Sequence, residues 1–223
     1  MTNFPSTTKK RNTPALPADL SPSLHALLNH IPIKTYAART TVVNKGDTSS
    51  SMFFIVKGSV AIISQESGKR DIVLAYLNEG SFFGEMGLFE KQPTRTALVR
   101  TRTRCDIVEV SYDQFLSFTK LYPELLFDIC SQLSIRLKQT TRKVTDLTVL
   151  DVTGRIARCL LDLSTQPDAI PKTEGTQIHI TRQEIGKLVG CSREMVGRVL
   201  KTLEDQHTIK TNGKTILIYR TES

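Results

Sequence analysis

The sequence predicts an α+β protein in which a strand-rich first half is joined by one long helix to a smaller helical domain with a β wing. Three patterns lead to this fold class. Short segments rich in Val, Ile and Phe alternate with turn residues between Thr41 and Val110. A strict heptad repeat follows Tyr122-Pro123, and a helix-turn-helix pattern with an Asn-Gly hairpin comes near the end of the chain.

Length and composition are those of an ordinary globular protein. The 223 residues are 39% hydrophobic and 23% charged, which allows one large or two small domains with real cores. The apolar runs are far shorter than the ~18 residues that a membrane helix needs. Met1–Leu20 also lacks the apolar stretch of a signal peptide. We therefore expect a cytoplasmic protein with no membrane partner.

The charge balance is basic, with 30 Lys and Arg against 22 Asp and Glu and a formal net charge of +8. Such an excess suggests an acidic partner such as nucleic acid, although charge alone does not identify one. The four cysteines are widely separated and have no CxxC pair or nearby His at ligand spacing, so we expect reduced thiols and no metal site. They are Cys105, Cys130, Cys159 and Cys191.

Residues 1–23 are rich in Thr, Ser and Pro and carry the basic run Lys9-Lys10-Arg11. This composition cannot bury enough apolar surface to offset its ordering entropy, so we predict a flexible basic tail. Strands recur after it at a spacing typical of a small sandwich or barrel, which we assign to residues 24–122. The clearest strands are Met52–Val56, Val60–Ile63 and Ile72–Leu77.

After the strands, the apolar residues are separated by alternating steps of 4 and 3, which is a heptad seam. The seam consists of Leu126, Cys130, Leu133, Leu137, Thr140, Val144 and Leu147. A helix over residues 123–150 would be roughly 40 Å long, more than a small domain needs for its own packing. The spacing favours a two-stranded coiled coil and hence a homodimer; an ordinary amphipathic core helix is the alternative. Thr140 and its neighbour Thr141 would place hydroxyls near the dimer axis, where they could set register or contact a buried polar ligand.

A second domain is expected over residues 151–223, because Asp151 can cap a new helix after a hinge at Leu150–Gly154. The segment Thr181–Leu200 matches a helix-turn-helix. Its capping and turn residues are Thr181, Glu184, Gly190 and Ser192. The Asn212-Gly213 pair between two apolar segments then predicts a hairpin that would form a β wing.

Charged residues near the start of the second helix of this motif suggest that it reads DNA. An inserted helix would present Arg193, Glu194 and Arg198 to the major groove. Arg suits the acceptors of guanine, and Glu accepts from the amino group of cytosine. A solvated charged helix face is the alternative, and the helix-turn-helix context favours the reader.

A glycine-rich segment, Gly80–Ala97, could bind an anion. Its glycines leave backbone N–H groups accessible, Arg95 can neutralise a phosphate, and Thr96 can donate a hydroxyl bond. Glycine-rich turns are common in β domains, so the spacing alone is a weak indication. The segment matches neither a Walker loop nor a dinucleotide fingerprint.

Three segments of the chain resemble the cyclic-AMP receptor (CRP/FNR) family of bacterial transcription regulators, over roughly residues 24–220. They are Gly84-Glu-Met-Gly-Leu-Phe with Arg95-Thr96, the hinge Asp151-Val-Thr-Gly-Arg-Ile-Ala, and Ile180-Thr-Arg-Gln-Glu-Ile-Gly with Cys191-Ser-Arg-Glu-Met-Val-Gly-Arg. The resemblance implies a β-roll (jelly-roll-like) cyclic-nucleotide-binding domain, a dimerisation helix and a winged helix-turn-helix DNA-binding domain. It also implies a homodimer that responds to cyclic AMP, binds palindromic double-stranded DNA and recruits RNA polymerase.

The resemblance further implies roles for individual residues. In the nucleotide pocket, Glu85 would bind the ribose 2′-hydroxyl, Arg95 the cyclic phosphate with Gly84 and Thr96, and Thr140 and Thr141 the adenine amino group, with Arg136 as an accessory. On DNA, Arg193, Glu194 and Arg198 would read bases, and Arg182, Ser192 and Lys214 would hold phosphates. The polymerase contact would include Pro171, Lys172, Thr173 and Gly175.

The chain also departs from the family pattern. Ala75 stands where well-known members carry a small hydroxyl near the nucleotide, which removes one hydrogen bond. Pro32, Lys34 and Gln114 alter a basic patch that some members use as a second polymerase contact.

Two other functions are the alternatives to a cyclic-AMP-responsive regulator. A regulator of the same fold that cyclic di-GMP inhibits, and that binds DNA without ligand, is the nearest alternative. The other is an enzyme such as a nucleotide phosphodiesterase with Glu85 as base. The absence of a His/Asp metal cluster or a nucleophile–His arrangement in the sequence disfavours the enzyme. The lack of clustered cysteines disfavours haem or iron–sulfur sensing.

Overall fold

The computed structural model describes residues 16, 20–65, 71–90 and 93–220 of the chain. The first helix, α1 (Pro22–Leu28), begins after the capping residue Ser21. The flexible tail predicted for residues 1–23 lies largely outside the described part of the chain. Its described end differs from that prediction, because Leu16 and Leu20 pack against the core and Ser21 caps the helix.

Eight strands and one 3₁₀ turn follow α1. In chain order, the strands are β1 (Ile33–Tyr36), β2 (Thr41–Val43), β3 (Ser51–Lys57), β4 (Ser59–Ser64), β5 (Ile72–Asn78), β6 (Phe82–Phe83), β7 (Leu98–Thr101) and β8 (Cys105–Ser111). They form two antiparallel four-stranded sheets, in the orders β1-β8-β3-β6 and β2-β7-β4-β5. The 3₁₀ turn, Met86–Phe89, lies between β6 and β7.

Strand β3 shows why the first sheet is buried on both faces. Phe53 and Ile55 point into the core between the two sheets, while Met52, Phe54 and Val56 point to the core under the helices. Only the last residue of the strand is exposed. Because successive side chains of a strand point to opposite faces, β3 contributes apolar side chains to both cores.

The helix α2 (Tyr112–Thr119) follows β8 directly and was not predicted. It starts with a capping box, in which the Ser111 hydroxyl accepts from the Gln114 N–H and the Gln114 side chain accepts from the Ser111 N–H. The Ser-x-x-Gln spacing is a helix-start pattern that can be read from sequence, so the signal for this helix was available.

The long helix α3 runs over Glu124–Val149, 26 residues. Leu125 and Ile129 near its start are fully buried against the β-roll. Towards its end, Leu137, Val144 and Leu147 are 68%, 58% and 60% exposed. A single chain therefore leaves most of the predicted seam uncovered, including Leu126 and Cys130 near its start.

The remaining residues form a small helical domain with its own sheet. Its elements are α4 (Val152–Ser164), β9 (Ile170–Lys172), β10 (Gly175–His179), α5 (Arg182–Val189), α6 (Arg193–Asp205), β11 (Ile209–Asn212) and β12 (Thr215–Tyr219). The strands are antiparallel in the order β11-β12-β10-β9. The predicted α+β fold class is confirmed.

The predicted helix-turn-helix is present as α5 and α6. Thr181 and Glu184 form the capping box, and Gly190 ends α5 with a left-handed φ of +78°. A side chain at Gly186 would come within 2.8 Å of the Cys191 carbonyl oxygen. The turn can therefore close tightly only because residue 186 is a glycine.

The β wing forms one residue later than the predicted Asn-Gly turn. Asn212 pairs with Thr215, so the two turn residues are Gly213 and Lys214. Gly213 has a φ of +62°, the conformation that the first central position of such a hairpin requires. The Glu204 carboxylate also accepts from the Thr211 N–H at 2.7 Å, which helps to keep β11 extended towards the turn.

All four cysteines are free thiols. Burial raises the pKa of Cys159 to about 12 and also raises the pKa of Cys105. Both thiols are therefore protonated at neutral pH and are weak nucleophiles.

The turn after α6 offers a test of backbone strain. His207 is exposed and has a left-handed φ of 57°, a conformation that costs non-glycine residues about 1 kcal/mol. We expect His207→Gly to stabilise the protein by up to about 0.5 kcal/mol, because relief of the strain is partly offset by the extra backbone entropy that glycine loses on folding; the measurement is a higher midpoint of thermal unfolding. The neighbouring Gln206 has a φ of −82°, so the control Gln206→Gly should lower the midpoint. A lower midpoint for both variants would contradict the strain at His207.

Candidate nucleotide pocket and nucleic-acid interface

The loop after β6 brings the predicted pocket residue Gly84 into contact with Arg95. Gly84 has a φ of +77°, and a side chain there would come within 2.6 Å of Arg95 Nη1. The glycine therefore lets the backbone of the loop touch the guanidinium. The Gly84 carbonyl also accepts from the Tyr112 hydroxyl at 2.6 Å, and the same hydroxyl lies 2.6 Å from Ser49 Oγ. Tyr112 and Ser49 were not predicted as pocket residues, since nothing in their local pattern points to the loop.

Arg95 is a buried cation, 8% exposed. Its Nη1 donates to the Gly84 carbonyl at 3.3 Å and its Nη2 to Ser51 Oγ at 3.1 Å. The guanidinium lies 5.3 Å from the centre of the Phe53 ring. None of the ion pairs between described residues includes Arg95. A buried guanidinium without a carboxylate in contact suits an anion such as a phosphate.

Glu85 is buried at 4% exposure and forms an ion pair with Arg136 of α3, with 2.9 Å between Nη1 and Oε1. Arg136 also donates to the Phe82 carbonyl and to Gln132 Oε1. Burial lowers the pKa of Arg136, and the charge of Glu85 opposes that shift. The pair connects the long helix to the pocket loop.

A second residue of α3 holds the same loop. Gln132 accepts from the Phe82 N–H at 2.9 Å and donates to the Gly80 carbonyl at 3.0 Å. It stands one helical turn before Arg136, on the same face. Sequence reasoning did not identify Gln132, although its spacing from Arg136 offered a signal.

The remaining predicted pocket residues stand apart. Thr96 is exposed, with its hydroxyl 4.0 Å from the Met86 sulfur. Thr140 lies one turn after Arg136 on α3, and both Thr140 and Thr141 are exposed. Within one chain, no hydrogen bond between described residues joins either hydroxyl to the pocket loop. Both positions lie along the uncovered half of α3.

The predicted base readers line an exposed groove at the start of α6. Arg193, Glu194 and Arg198 border it, with Arg182 of α5 on one side. The Ser192 hydroxyl accepts from the Met195 N–H at 3.1 Å and so caps α6. The groove also includes Gly197, Leu200, Lys201, Glu204 and Thr211. The predicted phosphate contact Lys214 is exposed in the wing turn.

The predicted polymerase contact is a hairpin of β9 and β10. Pro171, Lys172 and Thr173 are exposed on it. Gly175 is buried, and a side chain there would collide with the Ile218 carbonyl of β12. Gly175 therefore serves the packing of the sheet and presents no side chain to a partner.

Side chains also connect the β-roll to the second domain. Lys187 of α5 pairs with Asp71 at 3.2 Å, and Arg102 pairs with Asp168 at 3.2 Å. Arg102 lies 3.7 Å from the centre of the Tyr76 ring. Burial raises the pKa of Tyr76 to about 12. Sequence reasoning missed this contact, because its partners are distant in the chain and follow no local pattern.

The described residues also bear on two other features, a metal site and a membrane-spanning helix. Among the described residues, no group of three or more His, Cys, Asp and Glu side chains could hold a metal ion. None of the helices in the described ranges combines the length and the apolar character that crossing a membrane requires.

Comparison with known proteins agrees with this arrangement. The family profile for the cyclic nucleotide-binding domain matches residues 33–122, and that for the Crp-like helix-turn-helix domain matches residues 154–222. The cAMP-activated global transcriptional regulator Vfr of Pseudomonas aeruginosa is 49% identical over 201 residues, which cover 89% of this chain and 94% of Vfr. The cAMP-activated global transcriptional regulator CRP of Salmonella typhimurium is 47% identical over 200 residues, covering 90% and 95%.

A solved structure is similar over the same range. It is that of CLP of Xanthomonas campestris, a c-di-GMP-responsive global regulator. The TM-score is 0.82 at 43% sequence identity, and the match covers 89% of this chain and 99% of CLP.

The contact between Gly84 and Arg95 gives a test of the pocket. We expect Gly84→Ala to displace the guanidinium and to lower the affinity for a fluorescent cyclic nucleotide roughly tenfold or more, since a charge-assisted hydrogen bond is lost. Gly80→Ala is the matched control, because Gly80 has a φ of +82° but open space around it. Equal losses of affinity in the two variants would show that backbone strain, and not the contact with Arg95, is responsible.

Proposed function

This chain belongs to the CRP/FNR family of bacterial transcription regulators, and we propose that it is a homodimer that binds cyclic AMP and then a two-fold-symmetric DNA site. The family consists of regulators and not of enzymes. The observation that carries the proposal is the joining of two sites by one helix. Arg136 of α3 pairs with Glu85 in the pocket, and α3 ends at the hinge before the DNA-binding domain.

We assign residues 24–122 to nucleotide binding, 123–150 to dimerisation and 151–223 to DNA binding. The basic tail over residues 1–23 remains a prediction, except that helix α1 already begins at Pro22. Bacterial DNA lies in the cytoplasm, and we propose that the protein acts there.

Cyclic AMP is supported as the ligand by the relatives and by the pocket. Vfr and CRP are both described as cAMP-activated. When bound, the nucleotide would supply a cyclic phosphate for Arg95, Gly84 and Thr96 and a ribose hydroxyl for Glu85. The buried Arg95, whose guanidinium lies directly against the Gly84 backbone, fits such a group. Arg136 would orient Glu85.

The exposed half of α3 supports the dimer. Leu137, Val144 and Leu147 recur at heptad spacing, and a second copy of α3 would remove them from water. Thr140 lies in the same seam. In a dimer, Thr140 and Thr141 would stand beside the pockets, where their hydroxyl oxygens could accept from the adenine amino group of a bound nucleotide.

The ligand controls DNA binding only if it prefers the DNA-competent arrangement. We propose that nucleotide on Glu85 and Arg95 acts through Arg136 and the threonine pair to order the end of α3. The hinge at Leu150–Gly154 would then hold the two α6 helices about one turn of DNA apart, roughly 34 Å. Arg193, Glu194 and Arg198 would read bases there.

Phosphate contacts would come from Arg182, Ser192 and Lys214. We further propose that the exposed hairpin residues Pro171, Lys172 and Thr173 contact RNA polymerase. Gly175 would support this hairpin from within the sheet.

A second candidate is a regulator that cyclic di-GMP releases from DNA. The observation that favours it is the similarity to CLP, with a TM-score of 0.82 over nearly all of that protein. Such a protein would read DNA with the same helix, but its ligand would weaken DNA binding instead of strengthening it.

One titration separates the two candidates. Fluorescence anisotropy of a palindromic operator is measured at one stated salt concentration without nucleotide, with cyclic AMP and with cyclic di-GMP. Tighter binding only with cyclic AMP supports the leading proposal. Tight binding without ligand that cyclic di-GMP weakens would replace it with the second candidate.

The reader assignment gives a further prediction. Arg198→Ala and Glu194→Ala should each weaken binding to the preferred operator by about 1–3 kcal/mol and relax preference at one base position. The control Lys120→Ala removes an exposed charge from the end of α2 and should leave the preference intact. Unchanged discrimination across a panel of operator variants would contradict the assignment.

A further inference from the structure

A row of hydrogen bonds lies behind Arg95 and runs across the first sheet to the protein surface. Lys34 Nζ donates to Glu109 Oε2 at 2.7 Å. Ser51 Oγ donates to Glu109 Oε1 at 3.0 Å, and Arg95 Nη2 donates to Ser51 Oγ at 3.1 Å. The first three residues belong to β1, β8 and β3, which are neighbours in that order. The row therefore follows the sheet from its edge strand to the pocket.

Strand register puts these side chains on one face. Lys34 lies opposite Ile107, and Glu109 lies opposite Phe53. Ser51 is two residues from Phe53 on β3, and side chains two residues apart share a face. Diagonal neighbours on adjacent strands are within reach of long side chains. The guanidinium of Arg95 packs over Phe53 on this same face.

The chemistry of the groups fixes the direction of each bond. The bonds from Lys34 and Ser51 lower the pKa of Glu109, with Lys34 contributing more, so its carboxylate is ionised at neutral pH and can only accept. The single proton of the Ser51 hydroxyl is therefore donated to Glu109. Its oxygen lone pairs then remain for Arg95, which can only donate.

Ser51 also separates the negative charge of Glu109 from the positive charge of Arg95. A carboxylate in direct contact would neutralise Arg95 and compete with an anionic ligand. Here Ser51 and Arg95 are buried at 7% and 8% exposure, whereas the Lys34 and Glu109 side chains keep 56% and 36%. The carboxylate is thus paired at the surface, and the guanidinium is oriented without being neutralised.

We propose that Ser51 and Glu109 are positioning residues for the nucleotide phosphate, which hold the Arg95 guanidinium at the angle at which it meets one phosphate oxygen. This inference rests on the proposed binding of cyclic AMP. It adds two residues, distant from Arg95 in sequence, to the machinery of the pocket.

The test compares Ser51→Ala with Ser51→Thr. Removal of the hydroxyl leaves Arg95 Nη2 without its acceptor, and we expect about a tenfold loss of affinity for cyclic AMP. The threonine keeps a hydroxyl and should restore most of the binding. Glu109→Gln removes the charge that orients the hydroxyl and should cost a few-fold. Ser59→Ala is the matched control, because Ser59 is also 7% exposed and also accepts from an arginine, Arg102, outside the pocket.

A second readout separates positioning from general damage. The two phosphorothioate diastereomers of cyclic AMP carry sulfur in place of one or the other exocyclic oxygen. An oriented guanidinium discriminates between the two diastereomers. We therefore expect wild type, Ser51→Thr and Ser59→Ala to show the same ratio of affinities for them. In Ser51→Ala the ratio should move towards one, whereas a merely structural defect would lower both affinities equally.

An unchanged affinity and ratio in Ser51→Ala, with wild type binding cyclic AMP through Arg95, would overturn the positioning role alone. Equal losses for both diastereomers in Ser51→Ala would overturn it as well. Absence of cyclic-nucleotide binding by the wild-type protein would overturn the proposed function and this inference together.

Discussion

Helix α3 packs on the β-roll, reaches the pocket and leaves an apolar face exposed, and the rest of the structure depends on this combination. Leu125 and Ile129 anchor its start in the core. Arg136 then reaches Glu85. The heptad residues, such as Leu126 and Val144, lie on a face of the helix that the β-roll does not cover and are exposed. A change at the pocket would therefore act on the helix that also carries the proposed dimer seam.

The contacts between the two halves of the chain suit a switch. Lys187 with Asp71 and Arg142 with Asp162 are partly exposed ion pairs, each worth about 0–1 kcal/mol. Such pairs could be exchanged at small cost in free energy if α3 and the hinge rearranged as proposed. The buried pair of Arg136 with Glu85 is costlier to break, because it would leave a charge unpaired. Breaking the ion pair at the pocket therefore costs more free energy than breaking the ion pairs between the two domains.

Local patterns predicted the parts of the fold that local hydrogen bonds determine. The capping box at Thr181 and the turn at Gly190 formed as expected, because both are fixed within a few residues. The wing turn shifted by one residue, since strand pairing decided the register. The row from Lys34 through Glu109 to Ser51 could not be predicted, because 75 and 58 residues separate its bonded pairs and only the sheet order brings them together.

The central claim is that ligand sets the spacing of the two reader helices, and it can be measured directly. Spin labels are attached through Thr202→Cys, at an exposed position on α6, with the exposed native thiol Cys130 replaced by Val, which keeps an apolar side chain in the proposed seam. The distance between labels in the dimer is then recorded by double electron–electron resonance with and without cyclic AMP. We predict a broad distribution without ligand and a narrow one with ligand, at a separation compatible with half-sites about 34 Å apart. Identical distributions, or no distance between subunits, would contradict the account.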